Sequence, residues 1–326
     1  MNVSLGEAAE LMSDARTIVI TAHVHPDGDA IGSSLGLMHF LRSQGKEVQV
    51  LIDDDIPAIF DILPGYELIE KPDPERWQSA DLLIALDVSL DRIGRVREMV
   101  QAPVLNIDHH ITNDGALADK LYLDGNCAAT AEIIYQLIRQ KKKPFSQKTA
   151  MCLYTGLATD TGWFRFSNTT SSVMQAAAEL LQCGVRPHVI SEALERKPFA
   201  QLKGLAAAMG RIELFHEGRA AGAFLTAADL QSMESPDGLI DMIRVIDGTE
   251  LAVVMKEKEP DVCRVSMRSK GLDVTKIAIR FGGGGHVRAA GCTISQPFET
   301  AKKALIEAID AALEEQEGKE RSAFAK

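Results

Sequence analysis

The chain has 326 residues, 46% hydrophobic and 25% charged, an ordinary globular composition long enough for one large or two ordinary domains with a sizeable core. Its formal net charge of −11 argues against holding long nucleic acid by phosphate neutralisation and leaves short or end-bound strands open. No apolar run approaches the roughly 18 residues of a membrane span, and the opening MNVSLGEAAELM lacks the basic and apolar regions of a signal peptide, so a cytoplasmic protein away from any membrane is expected.

From the N-terminus, short β-branched runs alternate with helix-patterned stretches: TIVITAH (17–23), AIGSSLGLMHFLRSQG, EVQVLID (47–53), DLLIALD (81–87) and PVLNID (103–108). Such alternation predicts a parallel sheet covered by helices, in which ligands bind beyond the carboxyl ends of the strands. Three of the runs end there in Ala-His, Leu-Asp and Ile-Asp-His-His, which collects ligand-type residues along one edge. TAEIIYQLIRQKKK (130–143) reads as a helix capped by Thr130 and stopped by Pro144, its basic end a solvated complement to the helix dipole. Ser146 caps the next helix, through MCLYTGLATDTG, and SSVMQAAAELLQCG (171–184) ends at a glycine beyond a helix. A first domain closes at 185, residues 186–210 form a helical linker with the boundary near 200, and RIELF, AAGAFLT, LAVVMKE and CRVSMRS suit a smaller α+β domain over 211–316, ahead of a frayed tail at 317–326.

The five cysteines, Cys127, Cys152, Cys183, Cys263 and Cys292, are scattered and never spaced as CxxC, which favours small core residues over a disulfide framework or zinc knuckle. Histidine is more informative: His23, His25, His109, His110 and His286 fall in three short Gly- and Asp-rich segments.

The first segment, His23-Val24-His25-Pro26-Asp27-Gly28-Asp29-Ala30, sits where a strand hands over to a helix, with Ala30, Gly32, Ser33 and Gly36 allowing close helix packing. Asp87 closes LLIAL, Asp108, His109 and His110 close VLNI, and Asp160 lies in GLATDTG at a helix end. Each acid taken singly reads equally well as a cap or an ion-pair partner. Together, Asp27, Asp29, Asp87 and Asp160 in one crevice would repel one another and raise their pKa values unless cations compensated. Two divalent ions would balance four carboxylates, and an oxygen-rich set with few imidazoles suits Mn²⁺ first, with Mg²⁺ or Co²⁺ as substitutes, rather than Zn²⁺. Such a pair activates a bridging water for in-line attack on phosphorus, so the expected reaction is metal-assisted phosphoester hydrolysis.

HVHPDGDAIGS, the Asp ending LLIALD, the run Asp108-His109-His110 and LATDTGWFRFSNTT together resemble, in order, the motifs of the DHH phosphoesterase superfamily. The resemblance implies one metal at His23, Asp27 and Asp87 and a second at Asp29, Asp87, His109 and Asp160, with Asp87 bridging. It further implies His110 facing the scissile phosphate and Asp108 supporting it by hydrogen bonds, so that His110, Asp87 and Asp108 are the expected catalytic group. His25 occupies a variable position of the motif and reads as a substrate contact or a simply exposed residue.

In the second half, Phe281 precedes four glycines, Gly282 to Gly285, then His286-Val287-Arg288, without the Gly-Lys-Ser/Thr of a P-loop. Four ordered glycines suggest close backbone approach to something, and their amides can cradle a phosphate; a loose linker is the plain alternative. With Met267-Arg268-Ser269, FGGGGHVRAAG resembles the DHHA1 domain, and DHH followed by DHHA1 at this length resembles the NrnA-type oligoribonucleases, also called nanoRNase/pAp phosphatases. The implied substrate contacts are Arg268, Ser269, Gly283, Gly284, Gly285 and His286, with Arg288 equally an ordinary surface residue. Of Trp163, Phe164 and Phe166, core packing is expected to take at least two, although an aromatic there can also stack on a base.

The expected fold is therefore α/β, a parallel-sheet DHH domain followed by a smaller α+β DHHA1 domain. The expected activity is two-metal hydrolysis of very short single-stranded RNA to nucleoside 5′-monophosphates, extending to 3′-phosphoadenosine 5′-phosphate (pAp), with long nucleic acid excluded and a homodimer left open. Hydrolysis of pApA or another small phosphodiester is the alternative within the superfamily. A nucleotide-sensing binder without turnover is the alternative outside it, disfavoured because a binder has no need for two adjacent hard cations.

Overall fold

The apolar runs pair as the alternation predicts. In the computed structural model, which describes residues 1–73, 75, 79–233, 236 and 238–324, with the side chains of 286 and 319–324 outside that description, two compact units form, Met1–Arg196 and Lys197–Lys326. Residues 186–210 hold one helix in the first unit, Pro187–Glu195, and one in the second, Phe199–Met209.

In the first unit, β1 (Thr17–Thr21), β2 (Glu47–Leu51), β3 (Ile69–Glu70), β4 (Leu82–Leu86), β5 (Val104–Asp108) and β6 (Lys120–Leu123) form one sheet in the order β3-β2-β1-β4-β5-β6. Every neighbouring pair in it is parallel. The central strands are buried on both faces, which is why they read as continuous apolar runs. On β1, Ile18 and Ile20 enter one core cluster and Val19 the other, as side chains of alternating direction must.

The helices of this unit are α1 (Leu5–Asp14), α2 (Gly28–Ser43), α3 (Val96–Met99), α4 (Thr130–Gln140), α5 (Gln147–Asp160), α6 (Ser171–Gln182) and α7 (Pro187–Glu195). Ser146 caps α5 as expected, its side chain accepting from the Thr149 amide. Helices α2 and α5 pack closely: a Cβ added at Gly32 would stand 2.5 Å from the Cys152 carbonyl oxygen and 2.8 Å from the Gly156 nitrogen. This approach brings the start of α2, with Asp27 and Asp29, beside the end of α5, with Asp160.

The order places the topological switch between β1 and β4, whose chains leave the sheet in opposite directions to β2 and β5. In open α/β sheets the ligand crevice opens at that point, beyond the carboxyl ends of the strands. His23 follows β1 and Asp87 follows β4, so the fold puts both at the crevice.

The second unit is built on β7 (Ile212–Phe215), β8 (Ala220–Leu225), β9 (Leu251–Glu259), β10 (Val262–Ser269), β11 (Gly284–His286) and β12 (Ala289–Ile294), in the order β11-β12-β10-β9-β8-β7. Its pairings are antiparallel except β8 with β9. Helices α8 (Phe199–Met209), α9 (Ala227–Ser232), α10 (Leu239–Ile243), α11 (Thr275–Arg280) and α12 (Phe298–Phe324) accompany it. Ala301, Leu305, Ala308 and Ile309 of α12 enter the core cluster of one sheet face, while Leu205, Ala208, Leu239 and Ile243 enter that of the other. The α/β first unit and mixed second unit are the fold class the sequence predicts. The five cysteines are free, four of them buried, and no helix among the described residues is long and apolar enough to cross a membrane.

Candidate active site

Asp87 occupies the centre of the crevice. It follows β4 with φ of 59°, a left-handed conformation that costs a non-glycine residue energy. Its Oδ2 lies 3.7 Å from His23 Nε2, and its Oδ1 lies 3.5 Å from His109 Nε2, so each oxygen faces a different imidazole. The Thr130 hydroxyl donates to Oδ1 at 3.1 Å.

Among the described residues, three groups of ligand atoms, each within 4.8 Å of one another, lie at this point: His23, Asp27 and Asp87 form one, Asp29, His109 and Asp160 a second, and Asp87, Asp108, His109 and His110 a third. Both imidazoles are oriented from behind. His23 Nδ1 contacts the Val24 carbonyl at 2.9 Å and His109 Nδ1 the Cys127 carbonyl at 3.3 Å, which turns both Nε2 atoms toward the acids. His109 Nε2 is buried without a hydrogen-bond partner, 3.6 Å from Asp160 Oδ2. A desolvated nitrogen aimed at a group of carboxylates is the donor set of a hard divalent cation, and the residues present fit one.

The acids also serve the backbone, so capping does not exclude the ligand reading. Asp27 caps α2, its Oδ1 accepting the amides of Asp29 and Ala30 at 3.0 Å each. Asp29 caps a different helix: its oxygens accept the Thr130 amide at 2.6 Å and the Ala131 amide at 2.9 Å at the start of α4. This corrects the expectation for Thr130, which does not cap α4; Ala129 takes the cap position without a side-chain bond. With the amides satisfied from α2, the Thr130 hydroxyl is released to reach Asp87.

Electrostatically the acids diverge. Asp29 is raised well above the usual carboxylate range, first by burial and then by the charges of Asp87 and Asp160. Asp160 is pushed up to about 7 by burial, with Asp87 and Asp27 adding to the rise and His109 opposing it. Asp27 is raised by burial and by Asp87. Asp87 differs from the common rise expected of the four: burial favours its neutral form, but His109, His23 and His110 outweigh burial and hold it well below the usual range. Reciprocally, burial works against charge on His109, yet Asp87, Asp29 and Asp160 carry it up to about 10.

Asp108, which clusters with Asp87, His109 and His110, is taken up by hydrogen bonds. Its Oδ1 accepts the amides of His109 and His110, at 2.7 and 3.1 Å, and His110 Nδ1–H at 2.8 Å. Its Oδ2 accepts from Asn113 Nδ2 at 2.7 Å, and Asn113 also donates to Asn106 Oδ1 at 2.8 Å. Sequence reasoning missed both asparagines; the available signal was one amide interrupting the apolar run PVLNID. His25 is held by Asp54 through its amide and Nδ1, at 2.7 and 2.8 Å, with its side chain 85% exposed, which separates it from the ligand groups.

Trp163 and Phe164 are partly buried against the main core, and Phe164 meets the Tyr154 ring with centroids 5.7 Å apart, as expected of packing aromatics. In the second unit, Arg268 is half-buried on β10 with its Nη1 donating to the Met267 carbonyl at 3.0 Å. Ser269 donates its hydroxyl to the Leu272 carbonyl and its amide to the Arg288 carbonyl. Arg288 is exposed. The close approach expected of the glycine run is to the chain itself: Gly284 to His286 pair with β12, and an added Cβ would stand 2.2 Å from the Gly291 oxygen at Gly283 and 2.5 Å from the Ala289 oxygen at Gly285. Gly284 faces open space. The His286 side chain, expected to grip substrate, lies outside the described residues.

A family model described as the DHH family, N-terminal domain, matches residues 17–157, and one described as the DHHA1 domain matches residues 223–315. The chain is 37% identical to the bifunctional oligoribonuclease and PAP phosphatase NrnA of Thermus thermophilus, across 90% of this chain and 89% of that protein. It is 29% identical to the protein of the same name from Bacillus subtilis, across 85% and 89%. Among solved structures, an exopolyphosphatase-related protein from Bacteroides fragilis superposes with a TM-score of 0.87 at 26% identity, covering 94% of this chain and 95% of that one.

Proposed function

This chain belongs to the DHH family, in the group that joins a DHH domain to a DHHA1 domain, and on that premise we propose that it is a two-metal phosphoesterase acting in the cytoplasm. Its substrates are very short oligoribonucleotides, cut to nucleoside 5′-monophosphates, and pAp, from which it removes the 3′-phosphate. The observation that carries this reading is Asp87, with one oxygen turned to His23 and the other to His109.

His23, Asp27 and Asp87 hold one cation, and Asp29, Asp87, His109 and Asp160 the other, with Mn²⁺ favoured by the oxygen-rich donor set. When bound, the pair supplies Lewis acidity and an activated water for in-line displacement at phosphorus. His110 is held by Asp108 at Nδ1 and carries a raised pKa: burial opposes the charge, but Asp108 and Asp87 outweigh it. Its Nε2 can therefore present a proton to a phosphate oxygen. In the second unit Arg268, Ser269, His286 and the amides of Gly284 and Gly285 hold the nucleotide, whereas the Gly283 amide is spent on the Ala278 carbonyl at 2.9 Å. This local chemistry suits a few nucleotides on a protein of net charge −11.

Labelled oligoribonucleotides of graded length, with pAp and pApA alongside, incubated with Mn²⁺, Mg²⁺, Co²⁺ or EDTA, test the reading. Expected are 5′-monophosphates from the shortest chains, Mn²⁺ most effective, and no turnover in EDTA. A dinucleotide left intact at high enzyme concentration would instead support a nucleotide binder.

A further inference from the structure

Behind the histidine pair lies a buried polar network that none of the motifs absorbs. Asn106 on β5 is fully buried, Asn113 is 4% exposed and Asp108 is fully buried. Asn106 Nδ2 donates to the carbonyls of Ala85 and Val88, at 3.1 and 2.9 Å, on either side of Asp87. Asn113 Nδ2 lies 3.0 Å from the same Val88 carbonyl, 2.8 Å from Asn106 Oδ1 and 2.7 Å from Asp108 Oδ2. Asn113 Oδ1 accepts the Gly115 amide at 2.9 Å, while its own amide donates to the His110 carbonyl at 2.9 Å.

The chemistry of that position is restrictive. Asp108 Oδ1 already serves two amides and the His110 ring, so the direction of the carboxylate is set by what holds Oδ2. Asn113 supplies that donor and, from its other terminal atom, an acceptor for the turn. An amide offers both from two separate atoms without taking up a proton. Removing it leaves a fully buried carboxylate oxygen short of a donor, which buried polar groups avoid by reorienting. Because Asp108 holds His110 Nδ1, its rotation would swing the imidazole.

We propose that Asn113 is a positioning residue, which through Asp108 aims the His110 imidazole at the scissile phosphate. The proposal rests on the functional reading above and deepens it. Asn113 acts here on geometry, anchored on the Val88 carbonyl just beyond β4 and bonded to Asp108.

A double-mutant cycle tests this with the full chain and a labelled diribonucleotide. Asn113→Ala is expected to lower kcat about 10- to 100-fold, the usual scale for removing such a support, with KM little changed. Added to His110→Ala, it is expected to cost less than about threefold more, since the residue it acts through is already gone. Mn²⁺ binding by calorimetry is expected to keep its stoichiometry and affinity. Asn113→Leu, which keeps the branched shape and removes the donor, is expected to repeat the loss and covers the case in which the alanine variant does not fold. Equal losses in the two backgrounds, or lost Mn²⁺ binding, would overturn the role and make Asn113 a general structural residue. An inactive wild type would overturn the functional reading itself, whereas an active wild type with additive losses removes only the role of Asn113.

Discussion

Thr130 donates its hydroxyl to Oδ1 of Asp87 at 3.1 Å, tying the first turn of α4 to the carboxylate at the end of β4. Both residues are buried, so the bond has no water to replace it. Thr130→Val keeps the shape and removes the donor. Leaving a buried carboxylate short of one bond costs about 1–2 kcal/mol, which corresponds to a fall in kcat/KM of roughly 5- to 30-fold. Thr130→Ser is expected to stay near wild type, and steady-state kinetics on a dinucleotide checks the pair.

Gly32 sets the spacing of α2 and α5 and so the approach of Asp29 to Asp160. An alanine there meets the Cys152 carbonyl and Gly156 backbone, which cannot move aside as a flexible side chain would. Gly32→Ala is expected to destabilise by about 1–3 kcal/mol, read from urea unfolding. Gly6, in α1, has only Ser4 Oγ at 3.8 Å from an added Cβ, so Gly6→Ala is expected to stabilise by up to about 1 kcal/mol. Equal shifts in the two variants would refute the close packing of the helices.

The raised acids and the raised histidine give pH dependence of one sign. The metal-free folded chain binds more protons than the unfolded one from about pH 4 up to the value of about 7 for Asp160, so stability falls as pH rises through that window. His109 adds stability that is full below its ordinary value of 6.5 and is lost as pH rises toward about 10. Cation binding needs these groups deprotonated. The rise in Tm on adding Mn²⁺ is therefore expected to grow steadily from pH 5.5 to pH 8.5, and a rise independent of pH would contradict the shifts.

Arg268 offers a half-buried cation in the second unit. Arg268→Ala is expected to raise KM for a dinucleotide at least tenfold, while hydrolysis of a small generic phosphodiester changes little. An equal loss on both substrates would argue against the second unit as a reader of nucleotides.

What the sequence made legible follows from periodicity. His23, Asp87 and the Asp108-His109-His110 run were visible because parallel strands read as apolar runs and their carboxyl ends point to one edge. Asp160 was visible as a helix end. The structure brings these side chains together with Asp27 and Asp29. Thr130 was misread because a threonine opening a helix looks like a cap, and the acceptor that actually caps the helix, Asp29, lies 101 residues away in the chain. Asn106 and Asn113 were missed for a related reason: each works through tertiary hydrogen bonds that leave no local pattern. The glycine run signalled close approach correctly, but composition could not say that the neighbour is β12 of the same unit.

The convergence of acids on a pair of cations is tested most directly by titrating Mn²⁺ into the metal-free chain and recording electron paramagnetic resonance. Two ions per chain with an exchange-coupled spectrum are expected for the wild type, and no coupling is expected in Asp87→Ala, whose carboxylate would no longer lie between them. A single ion at saturation, or coupling that survives the loss of Asp87, would contradict the arrangement.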